Sequence, residues 1–247
     1  MFHGALGAVL LGLDPQAYRC LFEKEVPPWR LVVREHPVWT LALVLLGDAC
    51  AFAGSIIVAT RKMLHKGLGR QRLAFGLISV EQDVGREERR PLSQGCGLQN
   101  LPQPVRLGQL IGRRTTASDV MVRFSTPVFM KSDGSPLRTA PDYATLVRRA
   151  VERAGRFMAL ANEIPELPGG WVEQARAVRL VSARLAWAEF ERYSARQRRS
   201  MPIGGLLGTL EYSGPAGSTL DWLDACVWLG LGGKNTFGLG GIEISAH

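Results

Sequence analysis

The second half of the 247-residue chain carries strand and helix patterns in an order that few folds accept. Apolar residues alternate in its strand segments and recur at helical spacing between them. The patterns predict strand, helix, strand, strand, helix and strand over 119–130, 143–160, 176–193, 206–212, 220–229 and 240–245. This βαββαβ order predicts a ferredoxin-like unit, an α+β fold in which two helices cover one face of a four-stranded sheet.

The first half of the chain repeats most of this order. Its patterns predict helix, strand, strand, helix and strand over 4–22, 30–34, 39–47, 51–66 and 74–81. The first strand of the unit is missing: the sheet lacks an edge strand, another segment fills it, or the true start lies upstream. We therefore predict tandem ferredoxin-like, RRM-like domains over 1–84 and 119–247.

Residues 85–118 form a long basic insert between the two predicted domains. They are rich in Gly, Pro and Gln, poor in apolar residues, and contain Arg86, Arg89, Arg90, Arg106, Arg113 and Arg114. Loops this long inside compact proteins are usually functional or disordered. A solvated linker and a partly helical projection that contacts RNA both stay open, and we favour the projection.

Charge favours a polyanionic partner. Lysine and arginine outnumber aspartate and glutamate by 30 to 22, and the sequence pI is about 9.8. Such a surface attracts nucleic acid. The apolar run over 38–59 is broken by Gly47, Asp48 and Gly54, and the N-terminus lacks the charged start of a secretory signal. We expect a cytoplasmic protein with no membrane partner.

Cysteine and histidine are spread along the chain without metal-ligand spacing. They occur at Cys20, Cys50, Cys96 and Cys226, and at His3, His36, His65 and His247. No C-x-x-C pair or carboxylate cluster accompanies them. We expect reduced thiols, no metal site and no cofactor.

Residues 230–241, GLGGKNTFGLGG, are the sharpest local feature. Glycines this dense permit close backbone approach, so amide groups can face a phosphate while Lys234 supplies charge. A nucleotide P-loop needs a glycine five residues before the glycine-lysine pair, a Ser or Thr after the lysine, and a helix after that. Here Trp228 occupies the first position, Asn235 follows the lysine, and the segment leads into a predicted strand. A flexible hairpin is the remaining alternative.

Four short motifs follow one another along the chain: FHGALG at 2–7, RFSTP at 123–127, RYSARQ at 192–197 with MPIGGLLG at 201–208, and the glycine-rich segment at 230–241. In this order they resemble motifs of the CRISPR-associated repeat-processing endoribonucleases of the RAMP superfamily. FHGALG at 2–7 is similar to that family's opening F-R-G-A-L-G element, with His3 in place of its arginine, and RFSTP at 123–127 looks like its F-x-T-P strand. RYSARQ at 192–197 with MPIGGLLG at 201–208 resembles a third segment, and 230–241 resembles its glycine-rich loop. A divergent branch of the kind found with type IV systems is our hypothesis for this short chain.

The resemblance implies a basic cleft for a CRISPR repeat hairpin and cleavage by the RNA's own 2′-hydroxyl without metal. The guide RNA would end in a 2′,3′-cyclic phosphate, and the enzyme would stay bound in an effector complex with other CRISPR subunits. The family often uses a histidine near its first helix. His3 is one catalytic candidate, while Arg19 and Arg34 are an alternative pair that would stabilise the phosphorane, with His36 in reserve.

RNA contacts are predicted from the basic cluster and the glycine-rich segment. The candidates are Arg113, Arg114, Arg192, Arg196, Gln197, Arg198, Arg199, Gly232, Gly233, Lys234 and Asn235. Phosphate contacts by such residues confer affinity and salt dependence, whereas specificity comes from hairpin shape and a few base edges. Two other functions stay open: a catalytically inactive RNA-binding RAMP subunit, and a nucleotide-dependent enzyme that uses Lys234.

Overall fold

The computed structural model describes residues 2–34, 39–69, 71–85, 88–94, 97–98, 100–111, 117–160, 169–194 and 199–246. At positions 34, 94, 97–98, 160, 192–194 and 199–200 this description covers the backbone alone. The chain divides into two compact units. The first comprises chiefly Met1–Trp29 and Leu45–Leu110, and the second comprises Arg30–Val44, Ile111–Ser194 and Arg198–His247.

The second unit contains the predicted ferredoxin-like fold. Its main elements are β6 (Asp119–Val128), α5 (Tyr143–Leu160), β9 (Arg179–Ser194), β10 (Arg199–Ser213), α7 (Leu220–Leu229) and β11 (Ile242–Ala246), numbered in chain order with the elements given below. The antiparallel sheet has the order β11-β6-β10-β9. This is the strand order 4-1-3-2 of a βαββαβ unit, so the fold prediction is confirmed.

Three features of this unit go beyond the sequence prediction. A short helix, α6 (Trp171–Ala177), precedes β9, and a small hairpin of β7 (Lys131–Ser132) and β8 (Ser135–Pro136) follows β6. β10 begins at Arg199 rather than at 206. It pairs with β9 along its whole length but with β6 only from Leu206 onward, so the outer part of this hairpin is a two-stranded ribbon.

The core of this unit lies between the sheet and helices α5 and α7. Its buried residues include Val122 and Phe124 of β6, Leu146 of α5 and Leu223 of α7. Phe124 and Val122 share one face because successive residues of a strand alternate sides. The predicted cap is also present: the Asp142 carboxylate accepts a hydrogen bond from the Thr145 amide at 2.6 Å.

The first unit opens with two short helices where one was predicted over 4–22. These are α1 (Phe2–Leu13) and α2 (Pro15–Tyr18), followed by a π-helical turn at Arg19–Glu23. The break occurs at Asp14, whose carboxylate accepts from the amides of Gln16 and Ala17 at 3.1 and 3.0 Å. Asp14 also accepts from the Ser55 hydroxyl at 2.6 Å, which fastens the break to α3 (Ala53–Lys66).

The predicted strands of the first half pair differently from a ferredoxin-like sheet. β1 (Trp29–Arg34) and β2 (Thr40–Leu45) form a two-stranded sheet, and most of this segment clusters with the second unit. The strand predicted over 74–81 is displaced to β3 (Ser79–Gly85). It pairs with β4 (Glu88–Gln94), which in turn pairs with β5 (Gly97–Leu98), so this sheet extends into the predicted insert.

The remaining described part of the insert contains one short helix, α4 (Leu107–Leu110). The insert is therefore neither a bare linker nor mainly helical over the residues that the structure describes.

Across all the described ranges of the chain, no helix is both long and apolar enough to cross a bilayer.

Candidate nucleic-acid interface

The glycine-rich loop at 230–241 is fastened to the end of β6. The amides of Gly233 and Gly240 donate to the carbonyls of Phe129 and Pro127, both at 2.9 Å. The Thr126 hydroxyl accepts from the Gly241 amide at 2.7 Å, and the Gly241 carbonyl accepts from the Ser125 amide at 2.9 Å. These bonds explain the F-S-T-P segment physically, because Phe124 lies in the core while the next three residues hold the loop. The loop is a held structure rather than a free hairpin.

Asn235 closes the loop from inside. Its side chain is 4% exposed, and its Nδ2 group donates to the Gly232 carbonyl at 2.9 Å. Its Oδ1 atom fills the space where Gly230 and Gly240 would otherwise carry a Cβ atom. Both glycines also have positive φ angles, +76° and +82°, a conformation that side chains disfavour. One buried amide therefore accounts for the outer glycine at each end of the loop, Gly230 and Gly240.

The outer part of the loop combines backbone and charge. Gly232, Gly233 and Lys234 are half-buried, and the Lys234 ammonium lies 4.0 Å from the centre of the Phe129 ring. Lys234 has a left-handed backbone with φ +63° and precedes a single helical turn, Asn235–Phe237. The chain then enters β11 rather than a long helix, which a nucleotide P-loop would require. This topology is not that of a P-loop and so counts against the nucleotide-enzyme hypothesis for Lys234.

Two arginines hold the residues that lead into the loop. Arg30 of β1 is 3% exposed, and its Nη1 atom donates to the carbonyls of Val227 and Trp228 at 2.6 and 3.1 Å. Arg153 of α5 donates from Nε and Nη2 to the Leu229 carbonyl at 3.2 and 3.0 Å. Burial lowers the pKa of Arg153 to about 10, so this side chain is still charged at neutral pH.

The catalytic candidates differ in their surroundings. The His3 ring is half-buried, stacked on Trp29 at 5.5 Å and edge-on to Phe22 at 5.0 Å between ring centres. Arg19 is exposed at the start of the π-helical turn. Arg34 is the last residue of β1 and its side chain is not described, while His36 lies outside the described residues.

Most of the predicted arginine cluster lies beyond the described part of the chain. Arg113, Arg114, Arg196, Gln197 and Arg198 fall outside it. The backbones of Arg192 and Arg199 belong to the outer ends of β9 and β10, and their side chains are not described. Among the predicted RNA-binding residues, the structure brings together Gly232, Gly233, Lys234 and Asn235, with Asn235 turned inward.

Sequence inspection missed Arg30, Arg153 and the specific part played by Thr126. Arg30 interrupts an apolar strand, and a charged residue amid buried neighbours is a usable signal for a paired charge. Arg153 offers no comparable signal, because its helix position is that of an ordinary exposed face.

A family model described as CRISPR-associated endoribonuclease Cas6 matches residues 122–242, just under half of the chain. No curated protein matches. Solved structures match along nearly the whole chain. A Cas6 product complex is 16% identical with a TM-score of 0.62, covering 99% of this chain and 92% of that chain. Thermus thermophilus Cas6 is 16% identical with a TM-score of 0.59, covering 98% and 89%. A Cas6 substrate mimic complex is 18% identical with a TM-score of 0.53, covering 98% and 92%.

The chain is thus an α+β protein with the fold of the matched structures, which have tandem ferredoxin-like domains. Its second unit shows the complete ferredoxin-like sheet, whereas the described strands of the first half pair in smaller sheets. The family match spans the glycine-rich loop, most of β6 and all of β9 and β10, but only the first residue of β11. Over residues 122–242 the chain is similar to the CRISPR-associated endoribonuclease Cas6 family, and its fold is similar to that of solved Cas6 structures. The resemblance found in the motifs is confirmed, and the matched family is one of endoribonucleases.

Proposed function

We propose that this chain binds a CRISPR repeat hairpin and cuts it without metal to release guide RNA, then stays bound as an effector-complex subunit. The observation that carries this proposal is the held glycine-rich loop. It lies within the segment that matches the endoribonuclease family, and its half-buried part includes the Lys234 ammonium, which lies over the Phe129 ring. A held loop suits phosphate binding because its groups need little reorganisation when RNA arrives.

The reaction would use the RNA's own 2′-hydroxyl. Its oxygen attacks the adjacent phosphorus after giving up its proton, the bond to the 5′-oxygen breaks, and that oxygen takes a proton. The products are a 2′,3′-cyclic phosphate and a 5′-hydroxyl. The protein's tasks are to hold the nucleotide in line and to stabilise the crowded, negatively charged phosphorane.

Arg19 and Arg34 are our proposed catalytic residues. Guanidinium groups stay charged at all relevant pH values, so they stabilise negative charge but do not act as bases. His3 is the weaker candidate because its ring is packed between Phe22 and Trp29. The loop residues Gly232, Gly233 and Lys234 would hold the sugar-phosphate backbone of the RNA. Further contacts to the RNA would come from Arg192, Arg196, Gln197, Arg198 and Arg199 and from the insert residues Arg113 and Arg114.

One observation favours a second function, that of an inactive RNA-binding subunit. The described histidine nearest the family's usual catalytic position is His3, and its ring is committed to aromatic packing. Such a protein would bind the hairpin through the same loop without cutting it.

A cleavage assay separates the two functions. Purified protein is incubated with a repeat hairpin in EDTA, and a matched hairpin with a 2′-deoxy sugar at the cut site is the control. We expect a cyclic-phosphate fragment from the first RNA and none from the second. An uncut hairpin at stoichiometric protein, despite measurable binding, would establish the inactive subunit instead.

A further inference from the structure

We infer that Arg30 and Arg153 are positioning residues for RNA binding, acting through the end of α7 on the glycine-rich loop. The inference rests on the proposed function, since it assumes that this loop contacts the RNA backbone. Neither arginine was singled out as a site from the sequence, and neither belongs to the loop itself.

The first step is the hydrogen-bonding need of the helix end. The last carbonyls of an α-helix lack partners within the helix, and α7 ends at Leu229, directly before Gly230. Arg30 donates hydrogen bonds to the carbonyls of Val227 and Trp228, and Arg153 donates to the carbonyl of Leu229. Three successive carbonyls are thus fixed by two side chains that come from different elements.

The second step is the position of these groups relative to the loop. The Arg30 Cδ atom would lie only 3.1 Å from a Cβ atom placed on Gly230, so the arginine side chain packs against the first loop residue. Arg153 is additionally held with its guanidinium 4.6 Å from the centre of the Phe157 ring. A shift of either guanidinium therefore displaces the first residue of the loop.

The third step is electrostatic. The C-terminal end of a helix carries a partial negative charge, which would repel a phosphate bound at the loop that follows it. The buried Arg30 guanidinium and the half-buried Arg153 guanidinium at this helix end offset that charge and reverse its sign. Solvent screens their field less than that of fully exposed lysines. They favour an anion at the loop without contacting it.

The test measures hairpin affinity, the single-turnover cleavage rate at saturating RNA, and thermal melting of the full chain. The variants are Arg30→Met and Arg153→Met, with Arg148→Met as the matched control because Arg148 is exposed on the same helix as Arg153. We expect each positioning variant to weaken hairpin binding by about tenfold at temperatures well below melting. The saturated cleavage rate should stay within about threefold, and Arg153→Lys should restore most of the affinity because it keeps the charge.

Wild-type affinity in the folded Met variants would overturn the inference, since a purely structural role lowers melting temperature alone. If the Met variants melt below the assay temperature, Arg153→Gln serves instead, because it keeps one donor and loses the charge. Wild-type hairpin affinity in Arg153→Gln would likewise overturn the positioning role.

A Lys234→Ala arm separates this inference from the proposed function. Weakened binding in Lys234→Ala with normal binding in the arginine variants overturns the positioning role alone. Normal binding in all of them overturns the RNA contact at the loop as well.

Discussion

The Thr126 hydroxyl accepts a hydrogen bond of 2.7 Å from the backbone amide of Gly241, joining the end of β6 to the end of the glycine-rich loop. A hydroxyl is needed for this bond, because valine has the same shape but no acceptor. The contact therefore ties the F-x-T-P strand to the loop through one oxygen atom.

Thr126→Val should destabilise the protein by about 1–3 kcal/mol, because the buried Gly241 amide loses its acceptor. Urea unfolding measures this change, and Thr209→Val on β10 is the control because Thr209 lies within the same sheet. Hairpin affinity should fall as well. Equal stability of the two variants would mean that water replaces the hydroxyl at no cost.

Gly230→Ala should be much more harmful than Gly134→Ala. Both glycines have similar φ angles, +76° and +80°, but only Gly230 faces the Asn235 side chain, whereas Gly134 faces open space. Gly134→Ala measures the backbone term alone, about 1–2 kcal/mol. We expect Gly230→Ala to cost at least about 2 kcal/mol more in unfolding free energy, because Asn235 must move. Similar losses in both variants would mean that Asn235 does not require a glycine at position 230.

Arg19→Ala and Arg34→Ala should each lower cleavage by about 100-fold while changing hairpin affinity by less than about threefold. Lys62→Ala, an exposed charge on α3, is the control for Arg19. Single-turnover kinetics with a parallel binding titration makes the distinction. Loss of binding equal to the loss of rate would assign these arginines to RNA holding.

The pH dependence of cleavage separates an arginine mechanism from a histidine base. Without a histidine base, the logarithm of the rate should rise by about one unit per pH unit from about pH 6 to 8.5, because the reacting species is the 2′-oxyanion. A histidine base would instead make the rate level off at a plateau once its imidazole is deprotonated. His3→Phe keeps the aromatic packing on Trp29 and should leave the profile unchanged.

Stability at low pH should report on Asp14. The Ser55 hydroxyl, helped by the Ala17 amide, lowers the pKa of the Asp14 carboxyl. A depressed carboxyl pKa stabilises the fold above the unfolded value near 3.9, and the effect is lost as pH falls through the folded pKa. Ser55→Ala should therefore lower the free energy of unfolding by about 0.5–1 kcal/mol at pH 7, a modest loss because solvent screens this partly exposed bond. The loss should be smaller near pH 3. An equal cost at both pH values would contradict this linkage.

The arginine cluster should give affinity without sequence preference. Arg198→Ala with Arg199→Ala should weaken hairpin binding and flatten the dependence of log affinity on log salt by about one to two units. Binding titrations at several salt concentrations, with repeat and scrambled hairpins, measure both effects. An unchanged salt slope would remove these residues from the phosphate contacts.

The ferredoxin-like unit could be predicted from sequence because its patterns are local. The helix at 143–160 and the strand beginning at 119 match α5 and β6. The glycine-rich loop could also be located, since its glycine density is unusual. The break at Asp14 was predictable in principle, because Asp followed by Pro is a common helix start.

Other parts depended on contacts between distant residues. Arg30 meets Val227 across 197 positions, and a strand pattern carries no information about such a partner. The pairing of β3 with β4 was missed because β4 is polar and contains Pro91, so its residues do not alternate in hydrophobicity. The burial of Asn235, which is among the predicted RNA-binding residues, was likewise not predictable, since it depends on the closed loop.

The Arg30 contact also bears on how this protein can be divided. A recombinant fragment beginning at 119 would contain the whole four-stranded sheet, yet it would leave the last carbonyls of α7 without the donor that residue 30 provides. During synthesis on the ribosome, Arg30 emerges 197 residues before Val227, so its hydrogen bonds to the end of α7 form late. The bonds that hold the start of the loop therefore cannot form until translation has passed α7.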